Sequence, residues 1–435
     1  MCLDSPRPSP PRSDLVMNIE SLLAARARSL DVSGIRRIFE LGARLEDPIN
    51  LSIGQPDFAV PEALKVAAID AIRADRNGYT LTQGIPELRS ELEAYLSEDL
   101  GWSFGDDTGV LVTSGTSGAL MLAFMALLEA GDEVVIPDPY FLVYPALAEM
   151  FGANAVRCDT YPDFRMTAAR VEPLLTERTK IVLMNSPSNP AGVVASEDDC
   201  FELLELCRSR GVLLISDEIY DAFTFSDART QGSGVSDRGC SGQQPRHPQE
   251  GAGEGSTDQK TGQWHGMRCP SPARFAGAED GVLLVRGFGK TYGCTGWRLG
   301  YAAGDRKLLA EMAKFQQYTF VCAPAPLQYA AITALHTDMG AMVDDYERRR
   351  DLVVERLSAV TDVTRPGGAF YAFVKVPEHL GMSGTEFTQA CVEKNLLVIP
   401  GGVFSERDTH IRLSFAAPAA KLEAGLDVLV GMMKA

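Results

Sequence analysis

The chain reads as an α/β protein, with a large domain on a mainly parallel sheet and a smaller α+β domain, and three observations lead there. From Thr108 to Ile215, short apolar runs alternate with amphipathic stretches of helical length, the pattern of a parallel sheet covered on both faces. Past about residue 316 the order changes to helices followed by strands, which marks a separate α+β unit. The length, 435 residues, exceeds what one simple core serves, so two domains are expected.

Taken in order, residues 1–13 are rich in proline and lack an apolar core segment, so they read as a disordered tail and not as a secretory signal. Residues 14–60 are assigned to the N-terminal part of the small domain, 61–315 to the large domain and 316–435 to the C-terminal part of the small domain. Strands are expected at Val110–Thr113, Glu133–Ile136, Ala155–Cys158, Lys180–Met184, Val212–Ser216 and Val282–Val285, with helices such as Gly118–Ala130, Tyr144–Gly152 and Glu197–Arg210 between them. Farther on, helices are expected around 326–359, strands near 369–375 and 410–415, and a closing helix from 418. Residues 228–267 are dominated by Gly, Ser, Gln and Asp. Their apolar surface is too small to offset the entropy of ordering, so they read as a disordered surface insertion.

Composition excludes several function classes. A net charge of −17 argues against a nucleic-acid partner, and no apolar run is long enough to cross a bilayer. Nine cysteines, an odd number with no Cys-x-x-Cys pair, fit reduced thiols in a cytoplasmic protein. The five histidines form no cluster, and no metal is expected.

Chemistry concentrates in Arg286–Tyr301, where Lys290 stands in a glycine-rich turn just after an apolar strand and Arg298 follows eight residues later. A lysine amine becomes a nucleophile only when burial and nearby positive charge lower its pKa, and it can then form a Schiff base with an aldehyde. Arginine supplies a forked donor for phosphate. An aldehyde carrying a phosphate and anchored at one lysine describes pyridoxal 5′-phosphate (PLP), although a solvated lysine in a turn has the same local sequence. The strand ending at Thr113 leads through small residues, among them Thr116 and Ser117, into a helix start, which is either a phosphate seat or a simple cap. Asp217 ends a buried strand, where a carboxylate needs a cationic partner such as a protonated pyridine nitrogen; it also suits a turn. Tyr220, three residues on, could donate to a ring hydroxyl. The loop Asn185–Gly192 is stiffened by two prolines and can present an Asn amide to a ligand or serve as a rigid turn. Arg412 lies on the polar face of an alternating strand, either gripping a carboxylate or standing exposed.

Together and in this order, these segments resemble the fold-type I, PLP-dependent class I/II aminotransferases, the aspartate aminotransferase-like group. The resemblance runs from about Ile35 to the C-terminus, insertion excepted, and also rests on Asn50–Phe58, Tyr79–Arg89 and Pro366–Tyr371. It implies the PLP-dependent transferase fold type I with a seven-stranded sheet, PLP as cofactor, and transfer of an amino group between an amino acid and a 2-oxo acid. By the same resemblance Lys290 is the Schiff-base lysine and proton shuttle, Asp217 the pyridine-nitrogen partner, and Tyr220 and Asn189 lie on the ring hydroxyl. Arg298, Thr116 and Ser117 would hold the phosphate, and Phe141, or failing it Tyr140, would stack on the ring. Arg412 would bind the substrate α-carboxylate with the Gly54 backbone close by. The residue matching Tyr79 reaches the phosphate of the neighbouring subunit, which implies a homodimer with shared active sites. The same constellation serves PLP-dependent C–S β-lyases, and a non-catalytic PLP-binding regulator is a further reading that lacks its DNA-binding module here. Gly287 and Gly289 replace serines common in the family, and Ala191 replaces a common threonine.

Overall fold

A computed structural model of the chain describes residues 18–30, 34–229 and 268–435. The expected tail 1–13 and residues 230–267 of the expected insertion lie outside the described residues. Within Met1–Val32, one compact unit, the described part holds two short helices, Ile19–Leu22 and Ala25–Ser29, the first capped by the Asn18 side chain.

The second unit, Ser33–Ala435, is built on a seven-stranded sheet. Its strands are β1 Thr108–Thr113, β2 Glu133–Asp138, β3 Asn154–Asp159, β4 Thr179–Asn185, β5 Leu213–Asp217, β6 Val282–Gly287 and β7 Gly300–Asp305. They lie in the order β1-β7-β6-β5-β4-β2-β3. All neighbours are parallel except β7, which runs antiparallel to both β1 and β6. The mainly parallel sheet is thus as expected, and the six expected strands are present with no end shifted by more than two residues.

The central strands are apolar through their middles because both faces are covered. Leu111, Ile181, Leu183, Ile215, Leu283 and Val285 pack into a core with Leu120 and Phe124 of the helix Gly115–Leu127 and with Tyr144. Val112, Val182, Leu214 and Leu284 face the opposite core, with Leu88 and Leu92 of the helix Pro86–Leu100 and Leu203 of the helix Glu197–Arg210. The strand missing from the sequence reading is β7. Two of its six residues are glycine and two are alanine, a composition set by close approach: a Cβ on Gly300 would lie 2.7 Å from the Gly115 carbonyl carbon and 2.8 Å from Thr116 N.

A third core lies around β8 Tyr371–Lys375, β9 Ile399–Pro400 and β10 His410–Ser414, an antiparallel sheet in the order β9-β10-β8. Val343, Tyr346 and Val353 of the helix Gly340–Ser358 join it, as do Leu422, Leu426 and Leu429 of the helix Ala419–Met433. Leu51, Phe223 and Phe225 also belong to this core. The helix Ala325–Leu335 does not: its Ala331, Ala334 and Leu335 pack with Leu88 and Leu92.

Candidate active site

The sheet sets the site, because four parallel strands end at one edge and the chain leaves each of them carrying polar groups. β5 ends at Asp217, and register pairs that residue with Asn185 at the end of β4 and with Val285 on β6. β6 runs through Gly287 into the single turn Phe288–Thr291, which carries Lys290. β1 ends at Thr113 and opens the helix Gly115–Leu127. Gly300 pairs with both Thr113 and Gly287, and Arg298, two residues earlier, takes a left-handed conformation at φ 53°.

Lys290 is half-buried, and its Nζ donates to the Gly54 carbonyl. Burial pushes its pKa down to about 8, helped by the Arg412 and Arg298 cations and opposed by Asp217. Asp217 is buried, which pushes its carboxyl up to about 6 against the pull of the Tyr144 hydroxyl and the Ile219 N–H. Tyr144 donates to Asp217 Oδ2 at 2.8 Å. Asn185 stitches the two strand ends: its Nδ2 donates to the Asp217 carbonyl at 2.9 Å and its Oδ1 accepts the Asn189 N–H at 2.8 Å.

Arg412 is only 1% exposed, so its strand is buried on both faces, contrary to the half-exposed alternative. It donates to Asn189 Oδ1 at 3.0 Å and to the Ser52 carbonyl at 2.9 Å, and its Nε is buried without a hydrogen-bond acceptor. No described carboxylate forms an ion pair with it. Tyr220 is buried, with its hydroxyl 2.9 Å from that of Tyr371. The structure therefore brings Lys290, Asp217, Asn189, Tyr220, Arg412 and Gly54 together.

Thr116 and Ser117 are half-buried in the first turn of their helix, and a Cβ on Gly115 would meet an Arg298 guanidinium nitrogen at 2.8 Å. Phe141 meets Tyr144 edge to face, centroids 5.6 Å apart, whereas the Tyr140 ring lies 5.4 Å from the Arg157 guanidinium. Tyr79 is 88% exposed, beside a cleft of about 380 Å³ that Arg76, Leu81 and Tyr329 also line. The two glycines in the lysine turn have a packing cause. A Cβ at 287 would stand 3.0 Å from Ile219 Cδ1 and 3.2 Å from Thr116 Cγ2, and one at 289 would stand 3.3 Å from Thr295 Cα.

Sequence reasoning missed the residues behind the site. Tyr144 and Asn185 hold Asp217 and its strand end, and no local pattern separates them from core and turn residues. Behind the strand ends, buried Glu218 accepts from Ser216, Ser271 and Arg286. Arg286 also pairs with Asp99, which Arg274 meets at 2.8 Å, and Arg268 pairs with Asp221. Three cations thus face three anions. Among the described residues no group of three or more His, Cys, Asp and Glu side chains could hold a metal ion, and no helix is long and apolar enough to cross a membrane.

The raised pKa of Asp217 makes a stability prediction for the cofactor-free protein. The folded state keeps its proton up to about pH 6, whereas the unfolded chain releases it near pH 4. Stability therefore falls as pH rises through that window. Asp217→Asn is expected to stabilise the apoprotein by about 2–3 kcal/mol at pH 7 and to leave it unchanged at pH 4. Denaturant melts at both pH values check this, and an equal effect at the two would contradict it.

A lysine amine whose pKa is lowered to about 8, next to an arginine with no carboxylate partner among the described residues, suits chemistry on molecules that carry both an amine and an acid group, and the α/β scaffold places it where such enzymes hold ligands. Comparison with known proteins names the family: the sequence model described as Aminotransferase class I and II matches residues 46–429, and the chain belongs to that family. The protein is an aminotransferase, of a family that uses PLP. An aspartate aminotransferase of Thermotoga maritima is 32% identical, over 88% of this chain and 90% of that protein. An aromatic-amino-acid aminotransferase 2 of Thermococcus litoralis is 28% identical over 95% of this chain and 98% of its own length. The crystal structure of the aspartate aminotransferase from Rhizobium meliloti matches with a TM-score of 0.79 at 31% identity, covering 95% of this chain and 98% of that one.

Proposed function

We propose that this aminotransferase binds PLP at Lys290 and seats the α-carboxylates of its amino acid and 2-oxo acid substrates on Arg412. The observation that carries the reading is the trio of half-buried Lys290 with buried Asp217 and Arg412, in which two basic groups and one carboxylate share a site suited to a further anion. The donor set fits PLP. The N–H groups at the start of the helix Gly115–Leu127, the Thr116 and Ser117 hydroxyls and the Arg298 guanidinium suit a phosphate, in a cradle kept open by Gly115 and Gly300. Asp217, ionised against a cationic partner, suits a pyridinium nitrogen. Tyr220 and the Asn189 amide nitrogen, left as a donor because Asn189 Oδ1 accepts from Arg412, suit the ring hydroxyl. Phe141, next to Tyr144, suits the ring face.

When bound, PLP supplies an aldehyde carbon to which amines add and a ring that draws electrons from the substrate Cα. The residues do the rest. Arg412 fixes the carboxylate through parallel hydrogen bonds and so orients the Cα–H bond. The freed Lys290 amine, with a pKa of about 8, takes the proton from Cα and returns it elsewhere. Asp217 holds its partner's proton throughout. Gly54, whose carbonyl receives the Lys290 amine, fixes where that amine rests.

The same proposal includes a homodimer. Val66, Ile69, Ile72 and Leu81 are exposed along with Tyr79, an apolar surface of the kind that a second subunit covers. It also includes a cytoplasmic location, in keeping with seven described cysteines that are all free thiols. Finally, it includes a division into a large and a small domain. The separate cores favour a junction between Leu335 and Val343, later than 315, with Leu51 on the small-domain side.

Borohydride reduction of the holoenzyme followed by digestion is expected to yield the Lys290 peptide with an added pyridoxyl mass. Recovery of that peptide only in its unmodified form would overturn the assignment.

A further inference from the structure

Tyr371 lies in the Pro366–Tyr371 motif and has no role among the residues above. Its side chain is 1% exposed. The Arg412 guanidinium covers its ring at 4.5 Å from the centroid, and the rings of Tyr220 and Phe370 pack against it at 5.7 and 4.8 Å. Its backbone is held as tightly: a Cβ on Gly192 would come within 2.6 Å of the Tyr371 carbonyl oxygen, so the start of β8 presses on the Asn185–Gly192 loop. Its hydroxyl is 2.9 Å from the Tyr220 hydroxyl and stands where a Cβ on Gly54 would approach to 2.9 Å. Gly54 in turn receives the Lys290 amine.

Each phenol has one proton, and only one proton can lie between the two oxygens. If Tyr220 spends its proton on Tyr371, none is left for a ligand. Burial raises both phenols and the Arg412 cation opposes that rise at both, but the hydrogen bond between them lowers Tyr371 and raises Tyr220, which ends well above the usual tyrosine range. The more acidic hydroxyl is the better donor. We propose that Tyr371 is a positioning residue that donates to Tyr220 Oη and thereby commits the Tyr220 proton to the ring oxygen of PLP. This rests on the assignment of Tyr220 to that oxygen made under Proposed function.

A hydroxyl that accepts a hydrogen bond becomes a stronger donor itself. A stronger donor to the ring oxygen stabilises the deprotonated form of the bound chromophore, in which that oxygen carries more negative charge, and so lowers the pH at which it titrates. The test is the absorbance titration of the holoenzyme, read in Tyr371→Phe, in Tyr220→Phe, in the double variant, and in protein carrying a ring-fluorinated, more acidic tyrosine at 371. Tyr371→Phe is expected to raise the midpoint by about 0.5–1 pH unit. The fluorinated tyrosine is expected to lower it, and Tyr371→Phe is expected to add nothing once Tyr220 is phenylalanine.

A midpoint that moves in Tyr220→Phe but not in Tyr371→Phe overturns the proposal and leaves the Tyr220 assignment standing. A midpoint unmoved in Tyr220→Phe overturns that assignment, and the proposal with it. An undiminished shift from Tyr371→Phe in the double variant overturns the relay. Should Tyr371→Phe fail to fold, the fluorinated protein decides: a midpoint that does not drop overturns the proposal.

Discussion

Lys290→Ala is expected to lower kcat for amino-group transfer by about 10⁴-fold or more, because in the role proposed for it one side chain supplies both the anchoring amine and the proton carrier. The environment gives the size of the effect. An ordinary lysine has a pKa near 10.4 and is almost wholly protonated at neutral pH. Burial beside Arg412 and Arg298 brings Lys290 to about 8, so an appreciable fraction is neutral there. No other described lysine combines burial with two neighbouring cations, so none substitutes for it. The variant should still fold, since the side-chain hydrogen bond lost among the described residues is the one to the Gly54 carbonyl. Single-turnover absorbance of purified variant mixed with PLP and an amino acid measures the step. Retention of wild-type turnover would remove Lys290 from the chemistry.

Arg412→Met is expected to reduce kcat/KM for amino acids by about 10²–10⁴-fold, the worth of two charge-assisted hydrogen bonds to a carboxylate in a buried site. It should also move the pH profile. Arg412 is the largest electrostatic influence that lowers the Lys290 pKa, so its removal raises that pKa above 8 and shifts the alkaline rise of activity to higher pH. A purely structural role for Arg412 would reduce activity without that shift. An effect on kcat/KM below about tenfold would remove it from carboxylate binding.

The parallel strands were legible in the sequence because burial on both faces leaves continuous apolar runs that no surface element shows. β7 was not, since Gly300 answers to the backbone of Gly115 and Thr116 and Gly304 to that of Val282, and such a constraint leaves only a turn-like composition. Lys290 stood out as a charge in a glycine-rich turn just after an apolar strand, Asp217 as one at a buried strand end, where an unpaired ion is costly, and Arg412 as the one arginine on an alternating strand. The depth of Arg412 did not show, because alternation along His410–Ser414 looks the same whether the polar face meets water or a ligand. Tyr144 and Tyr371 escaped for another reason: a phenol among aliphatic neighbours is indistinguishable from packing until the partner of its oxygen is known. Arg286 and Glu218 are 68 residues apart, and nothing local links them.

The cluster of Arg268, Arg274, Arg286, Asp99, Glu218 and Asp221 bears on how this protein can diverge. Its members come from three separate stretches of chain and balance one another, and replacing buried Arg286 alone takes from buried Glu218 and from Asp99 a cation that each now meets. Inheritance therefore alters Arg286 and its carboxylates more readily in concert than singly, and the floor beneath the reactive groups is expected to change more slowly than the walls around them.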